Sequence, residues 1–517
     1  MTLVRAITTV GGFTMLSRVF GFIRDILIAN VLGAGMVADA FFVAFRFPNL
    51  FRRLFAEGAF SAAFVPIFSG SLEKDGDQNA RQFASQAFSV LAVILAVFVA
   101  IIEIIMPWAM LVLAPGFDSV PGKMELATDL SRIAFPYLFF ISLVSLQSGV
   151  LNSLHQFAAA AAAPVLLNLT FISAMLFFGE SAETPGHVLA WAVSAAGVIQ
   201  FLWLVYHCRK AGFPVRFVRP RLSPNVRLLG RRILPVVFGA SLYQINLLIG
   251  TILATLVADG AVSYLYYADR VTQLPLGVVG VAVGTALLPM LSRQLTAGQS
   301  DKAMHSQNRG LEFALLLTLP AAFALAIIPL PIISVLFEHG EFGEDASLAT
   351  SYALAAFASG LPAYVLIKVL APGFFAREDT TTPVRIAAAS MVINIILNLI
   401  LMQIWGHVGI AIASSASAWV NALGLGYVLS RRGQLVIDAR LKKRAPRVLF
   451  ASAIMAIALF FAAAYLSSMF DGNAPERIIG LLSLIVIGLL VFGLSAHLFG
   501  AASWRDLKSL KRSPDAA

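Results

Sequence analysis

Eight basic side chains sit inside stretches apolar enough to cross a bilayer, and they are the residues with chemistry to do: Arg18, Arg24, Arg46, Arg52, Arg53, Arg132, Arg270 and Lys368. A charged group at the bilayer centre costs roughly 2.5–3.5 kcal/mol on insertion scales, so it persists where it faces an interior cavity or a partner. In the first stretch Arg18 and Asp25 share a helix face, whereas Arg24 points about 240° away from Arg18. Gly21 between them can let the helix unwind and bring both arginines to one cavity. In the second, Asp39, Arg46, Asn49, Arg53 and Glu57 follow i, i+3/i+4 spacing and form one polar stripe. Arg52 falls about 100° off that stripe. Pro48 can kink the helix and rotate the turn after it, so ideal geometry does not choose between Arg52 and Arg53. Further on, Ser263, Tyr267 and Arg270 share a face, with Asp269 beside it. Arginine suits a diphosphate, because its planar fork donates paired hydrogen bonds and is not neutralised. The bland alternative is structural: Arg18, Arg24 and Arg270 paired with Asp25 or Asp269, Arg46, Arg53 and Lys368 snorkelling to the interface, and Arg132 acting as a span-end residue.

The elements that must position these groups are set by composition. Of 517 residues, 59% are hydrophobic and 12% charged, far from the roughly 45–50% apolar and 25% charged usage of soluble domains. Apolar runs about 20 residues long, without alternation, predict membrane-spanning helices rather than barrel strands. The N-terminal segment carries Arg18 and Arg24 and no small-x-small cleavage site, so it is expected to stay as the first span. One cysteine, Cys208, excludes an internal disulfide framework. The seven histidines have no metal-ligand spacing, and no phosphate-cradling glycine loop or nucleophile elbow is present. Neither a cofactor nor catalytic chemistry is expected.

The chain divides into fourteen apolar spans, among them 6–30, 35–69, 82–112, 126–152, 310–336, 384–403 and 408–430. Their connections alternate between two sides, and 27 of the 37 Lys and Arg fall on one side. The other side holds Lys123 and Arg477, which puts both termini in the cytoplasm by the positive-inside rule. The net charge of +10 thus belongs to membrane topology, not to nucleic acid. A weak internal repeat lays Gly35–Ser69 on Gly260–Ser292 with an offset of 225 drifting to 223 residues, and Phe157–Pro164 on Phe375–Pro383 at about 219. The expected fold is therefore an all-α polytopic membrane protein of two six-helix lobes plus two C-terminal helices. Its parts are an N-terminal lobe at 1–208, a basic linker at 209–229, a second lobe at 230–432, a helix pair at 433–500 and a basic tail at 501–517. Duplicated halves place a substrate site near the midplane, at their interface.

The segments Ser17–Asp25, Gly33–Ser61, Tyr266–Arg270 and Lys368–Phe374 closely resemble the MurJ (MviN) lipid II flippase family of the MOP exporter superfamily, and the likeness runs over essentially the whole chain. The resemblance implies two six-helix lobes around a central cavity, in the bacterial inner membrane. It also implies a substrate, undecaprenyl diphosphate carrying a disaccharide and pentapeptide, moved from the cytoplasmic to the periplasmic leaflet. Its partners would be lipid II, membrane lipids, and cell-wall synthesis and division proteins. Residue by residue, it assigns Arg18, Arg24, Arg52 and Arg270 as cavity arginines, with Asp25, Asp39 and Glu57 as acidic companions. Asn49, Arg53, Ser263, Asp269 and Lys368 complete the candidate site. The resemblance favours Arg52 where the stripe favours Arg53. Gln273 departs from an acidic residue expected in some relatives. The last two spans would line a groove for the polyprenyl chain.

Two other readings compete. A flippase for another polyprenyl-diphosphate-linked oligosaccharide would use the same arginines. A MATE-type drug or cation antiporter should show net acidic cavities, which the intramembrane basic residues oppose.

The charge asymmetry makes a direct prediction. Reporters fused after Gly76, near Gly212 and at the C-terminus should read cytoplasmic, and those near Ser119, Glu183 and Gly343 periplasmic. A periplasmic C-terminus would overturn the even span count.

Overall fold

Backbone donors and acceptors have no water to bond in a bilayer, so each spanning segment must satisfy its own, and the α-helix does so locally. The computed structural model describes residues 3–53, 59–179 and 184–501, and every regular element among them is helical. In chain order these are α1 (Leu3–Leu32), α2 (Met36–Phe51), α3 (Ala59–Leu113), α4 (Lys123–Ala134), α5 (Tyr137–Ser153), α6 (Phe157–Phe178), α7 (Pro185–Lys210) and α8 (Pro224–Thr255). They continue as α9 (Ala261–Thr296), α10 (Ser300–Ile327), α11 (Pro329–Phe337), α12 (Glu344–Phe375), α13 (Thr381–Arg431), α14 (Ala439–Tyr465), α15 (Ser467–Phe470) and α16 (Ala474–Leu498).

Nine helices among the described residues are long and apolar enough to cross a membrane. These nine do not map one to one onto the fourteen expected spans, and prolines and glycines interrupt several of the helices. In the expected span 35–69, α2 covers the first part and α3 the last, with 54–58 outside the described residues, and α2 carries Pro48 in its last turn, where the missing N–H weakens the ladder. Span 126–152 is divided at Pro136 between α4 and α5, and span 310–336 at Pro329 between α10 and α11. Conversely, α3 runs 55 residues and α13 runs 51. At ~1.5 Å per residue such lengths are more than twice the ~30 Å hydrocarbon thickness. Each is broken once, at Gly76 (φ 79°) and Gly406 (φ 55°), in the left-handed region that glycine enters without a Cβ clash.

The chain forms two compact units, Met1–Ser263 with His339–Phe342, and Tyr264–Glu338 with Gly343–Ala517. In the first, α1 packs on α6, α3 on α5 and α8, and α7 on α5 and α6. Its core includes a run of phenylalanines, Phe60, Phe64 and Phe68, stacked 5.3 and 5.5 Å apart, with Phe83 beside Phe64 at 5.5 Å. In the second, α12 packs on α10 and α13, and α14 on α10 and α16. Arg309, Arg440 and Arg444 converge on Glu312, and Arg309 also pairs with Asp438, which fastens the start of α14 to α10. Large apolar side chains such as Phe460, Phe461, Leu489 and Leu490 stay exposed along α14 and α16. A surface of that kind suits lipid, and the chain is a membrane protein.

Two pairs of turns, far apart in the chain, share a local geometry. After α5, His155 adopts φ 57°, with its N–H bonded to Asn152 O and the next N–H, of Gln156, to Leu151 O. After α12, Glu378 adopts φ 61°, with its N–H bonded to Phe375 O and the N–H of Asp379 to Phe374 O. These are the same six-to-one helix stop, displaced from 155 to 378. Gly212 and Gly433 end α7 and α13 with another matched pair. The two pairs lie 223 and 221 residues apart, against the offset of about 219 read from the sequence for Phe157–Pro164 and Phe375–Pro383.

Asp379, in the turn between α12 and α13, accepts from Thr382 N at 2.9 Å, Thr382 Oγ1 at 2.6 Å and Arg432 Nη1 at 2.7 Å. The Thr382 hydroxyl foremost, then Arg432, holds its carboxyl well below the usual range. A depressed carboxyl adds stability above its unfolded pKa, near about 4, and loses it as pH falls toward the folded value. Asp379→Asn should therefore lower the thermal midpoint at pH 7, with the gap from wild type closing below about pH 4. A gap that does not change with pH would show that the charge contributes nothing.

Candidate functional site

The first polar centre is built on α1. Arg24 and Asp25 interrupt an apolar stretch of it, and both are buried. Arg24 Nε and Nη2 donate to Asp25 Oδ1 at 3.1 and 2.7 Å, and Nη1 donates to Asn168 Oδ1 at 3.0 Å. Asn168, on α6, in turn donates to the carbonyl of Ser17 at 2.9 Å. The Phe171 ring lies 5.5 Å from the guanidinium carbon. Gly21 faces this amide, and a Cβ there would lie 3.4 Å from Asn168 Nδ2, an ordinary contact. Gly21 lies within a continuous helix, without the unwinding expected from the sequence. Asp25, which ideal spacing set on the face of Arg18, pairs with Arg24, and Arg18 is exposed on α1.

On α2 the expected stripe is divided. Arg52 Nε donates to Asn49 Oδ1 at 2.7 Å, so Asn49, grouped by ideal spacing with Arg53, holds Arg52. Both arginines lie in a wider π turn at the end of the helix, which displaces them from α-helical register. Arg46 is half-buried. Glu57 lies outside the described residues.

Asp39 begins the same helix and has different company. It is fully buried. Oδ2 accepts from Lys123 Nζ and from the backbone N–H of Gly260, each at 2.8 Å. Oδ1 accepts from the N–H and hydroxyl of Ser263 at 2.8 and 2.6 Å. Gly260 and Ser263 supply donors at the start of α9 that have no acceptor within the helix, so a carboxylate from α2 caps it. Lys123 also reaches Asp259 Oδ1 at 2.5 Å and lies 4.3 Å from the Phe117 ring centroid. The sequence placed Lys123 in an outer loop; it is instead almost fully buried at the start of α4. It is one of two basic residues on the side otherwise poor in them, and that oddity was the signal for a buried partner.

In the second unit Arg270 lies 4.0 Å from Asp269 and 4.7 Å from the Tyr266 ring centroid. Gln273 Nε2 donates to Asp269 Oδ2 at 2.5 Å, so an amide bonds the carboxylate at the position where an acid was expected in relatives. Tyr267 is buried against Phe337 at 5.2 Å. The face read as Ser263, Tyr267 and Arg270 is thus not one site: Ser263 serves Asp39 and Tyr267 serves the core. Lys368 is exposed on α12. The sequence reading missed Asn168, whose signal was a single amide in the apolar run of α6, and Asp259.

Apolar helices that hold arginines by a few aimed acceptors define a polytopic helical transporter, and the fold is shared with that class. An inward-facing MATE multidrug transporter of the MOP superfamily matches at a TM-score of 0.68 and 17% identity, over 85% of this chain and 99% of that one. A structure of the lipid II flippase MurJ in an inward closed conformation matches at 0.77 and 25% identity, over 96% and 99% of the two chains. The family model described as lipid II flippase MurJ matches residues 28–478. The probable lipid II flippase MurJ of Rhizobium meliloti (strain 1021) is 44% identical over 100% of this chain and 98% of its own, and that of Vibrio cholerae is 37% identical over 97% and 96%. The chain belongs to the lipid II flippase MurJ family.

The Asp39–Lys123 pair can be tested by a cycle. Removing one partner of a buried pair costs about 3–5 kcal/mol because the other is stranded. Asp39→Ala and Lys123→Ala should each destabilise the purified protein in detergent strongly, and the double variant by much less than their sum. Additive losses would show that the two groups are not coupled.

Proposed function

We propose that the chain carries lipid II, an undecaprenyl diphosphate bearing a disaccharide and pentapeptide, from the cytoplasmic to the periplasmic leaflet of the bacterial inner membrane by alternating access. Both termini face the cytoplasm. Arg18, Arg24 and Arg52 of the first unit are diphosphate-binding groups, and Arg270 of the second is a further one. Asp25 and Asn49 orient them, with Asp269, Arg46, Arg53, Lys368 and Glu57 as secondary contributors. Asp39 and Ser263 act through the helix start they hold. The helices of 433–500 line a groove for the polyprenyl chain, beyond lobes at 1–208 and 230–432.

The observation that carries this reading is Arg24, a buried cation in an apolar helix of a chain alike along its full length to flippases of this family. Asp25 and Asn168 fix the plane of its guanidinium, and a planar fork held in place grips a phosphate by paired, charge-assisted bonds. Asn168 is a positioning residue in this scheme. Translocation needs no bond broken in the substrate, so the activity is transport rather than catalysis.

The test is translocation of labelled lipid II in vesicles reconstituted with the full chain. Losing a hydrogen bond to a charged group costs about 1.5–3 kcal/mol, so Arg18→Ala, Arg24→Ala, Arg52→Ala and Arg270→Ala should each slow flipping by roughly ten- to a hundredfold. Arg24→Lys should rescue poorly, because the fork and not the charge alone makes the contact. Neutralising Lys442 and Lys443 together should leave the rate near wild type, with Arg444 kept in place because it pairs with Glu312. Near-wild-type flipping with Ala at three or more of the four positions would sink the diphosphate assignment.

A further inference from the structure

Between α7 and α8 the chain runs as an extended strap, 213–223, laid along the first part of the second half of α3. Phe213 anchors it, buried 6.2 Å from the Phe68 ring and under the Arg81 guanidinium at 4.7 Å. The N–H of Arg216 donates to Ser85 Oγ at 3.3 Å and that of Val218 to Ser89 Oγ at 2.8 Å. Residues two apart on an extended segment point the same way, and residues four apart on a helix share a face, so these bonds set the register of the strap.

Between strap and helix lies a cavity of about 430 Å³, lined by Arg81, Gln82, Gln86, Arg216, Arg219 and Arg221 among others, with no carboxylate in its lining. Among the described residues Arg81 has one ion pair, a long, exposed contact to Asp77 at 3.6 Å. Arg216, Arg219 and Arg221 have no ion pair among the described residues. Like charges gathered without a counter-charge raise one another's energy, and an anion relieves it. Four guanidinium forks with amide side chains between them match the oxygens of a phosphate.

The surroundings identify the source of that phosphate. Phe217 and Leu222 alternate with the arginines on the strap and are exposed. Along α3, Val93, Ile94 and Val97 begin the exposed apolar face, about 10 Å beyond Gln86 at the helical rise. The pocket therefore lies at headgroup depth beside an acyl-chain surface, where basic pockets meet anionic lipid. We propose that it binds the phosphate of an anionic glycerophospholipid, a site separate from the arginines of α1, α2 and α9 and independent of the transport reading.

The experiment titrates the full chain in nonionic detergent with short-chain phosphatidylglycerol, short-chain phosphatidylcholine or inorganic pyrophosphate, following the thermal-unfolding midpoint, which a ligand of the folded state raises. Phosphatidylglycerol should raise it saturably and phosphatidylcholine should not. The triple variant R216Q/R219Q/R221Q should need at least about tenfold more phosphatidylglycerol for half the effect, because the forks that make the contacts are gone. The variant R227Q/R231Q/R232Q removes equal charge from exposed positions outside the lining and should stay within about twofold of wild type, as expected for diffuse attraction. The single variants R216Q, R219Q and R221Q should shift in the same direction by less, and they report on the site even where the triple variant folds poorly. Equal losses in the two triple variants would overturn the site. A response to pyrophosphate with none to phosphatidylglycerol would overturn the lipid assignment, and an equal response to phosphatidylcholine would overturn the role of the phosphate charge.

Discussion

A charge placed among lipid-facing helices has no water to fall back on, so it must be met by other groups of the protein. Asp39 shows how much architecture depends on that constraint. Its two oxygens take donors from Lys123, Gly260 and Ser263, and so join the starts of α2, α4 and α9. Lys123 then needs Asp259 and the face of Phe117. Each partner was recruited from a helix end, where backbone donors are already without acceptors. A single carboxylate therefore meets two needs at once, pairing a buried cation and capping a helix.

The arginines answer the same constraint in another way. Arg24 is oriented by one carboxylate and one amide, and Arg52 donates to the amide oxygen of Asn49. An amide positions a guanidinium through a hydrogen bond while leaving its positive charge in place, whereas a second carboxylate would neutralise it. Asp39 and Lys123 are matched in charge and closely packed, which suits a structural joint.

Proline and glycine set where these centres can be. Pro48 precedes the π turn that carries Arg52 and Arg53, and Gly76 and Gly406 break the two longest helices. Left-handed stops recur at His155 and Glu378, and at Gly212 and Gly433. A break needs a particular backbone geometry, while an apolar helix face accepts many side chains of similar volume.

Much of this protein was legible in its sequence. Apolar run length required helices in a membrane, the lack of alternation pointed away from barrel strands, and the motif from Ser17 to Ser61 pointed to the family. All of these are local properties, or sums of local properties, and need no knowledge of which helix lies beside which. The partners of the charges are a different matter. Arg24 finds Asn168 144 residues away, Asp39 finds Lys123 at 84 and Gly260 at 221. Helical periodicity says which side of its own helix a residue takes and is silent on what another helix presents there. The pairing of Asp25 with Arg24, the burial of Lys123 and the service of Ser263 to Asp39 were therefore decided by tertiary packing, because only packing brings together groups that the chain itself keeps far apart.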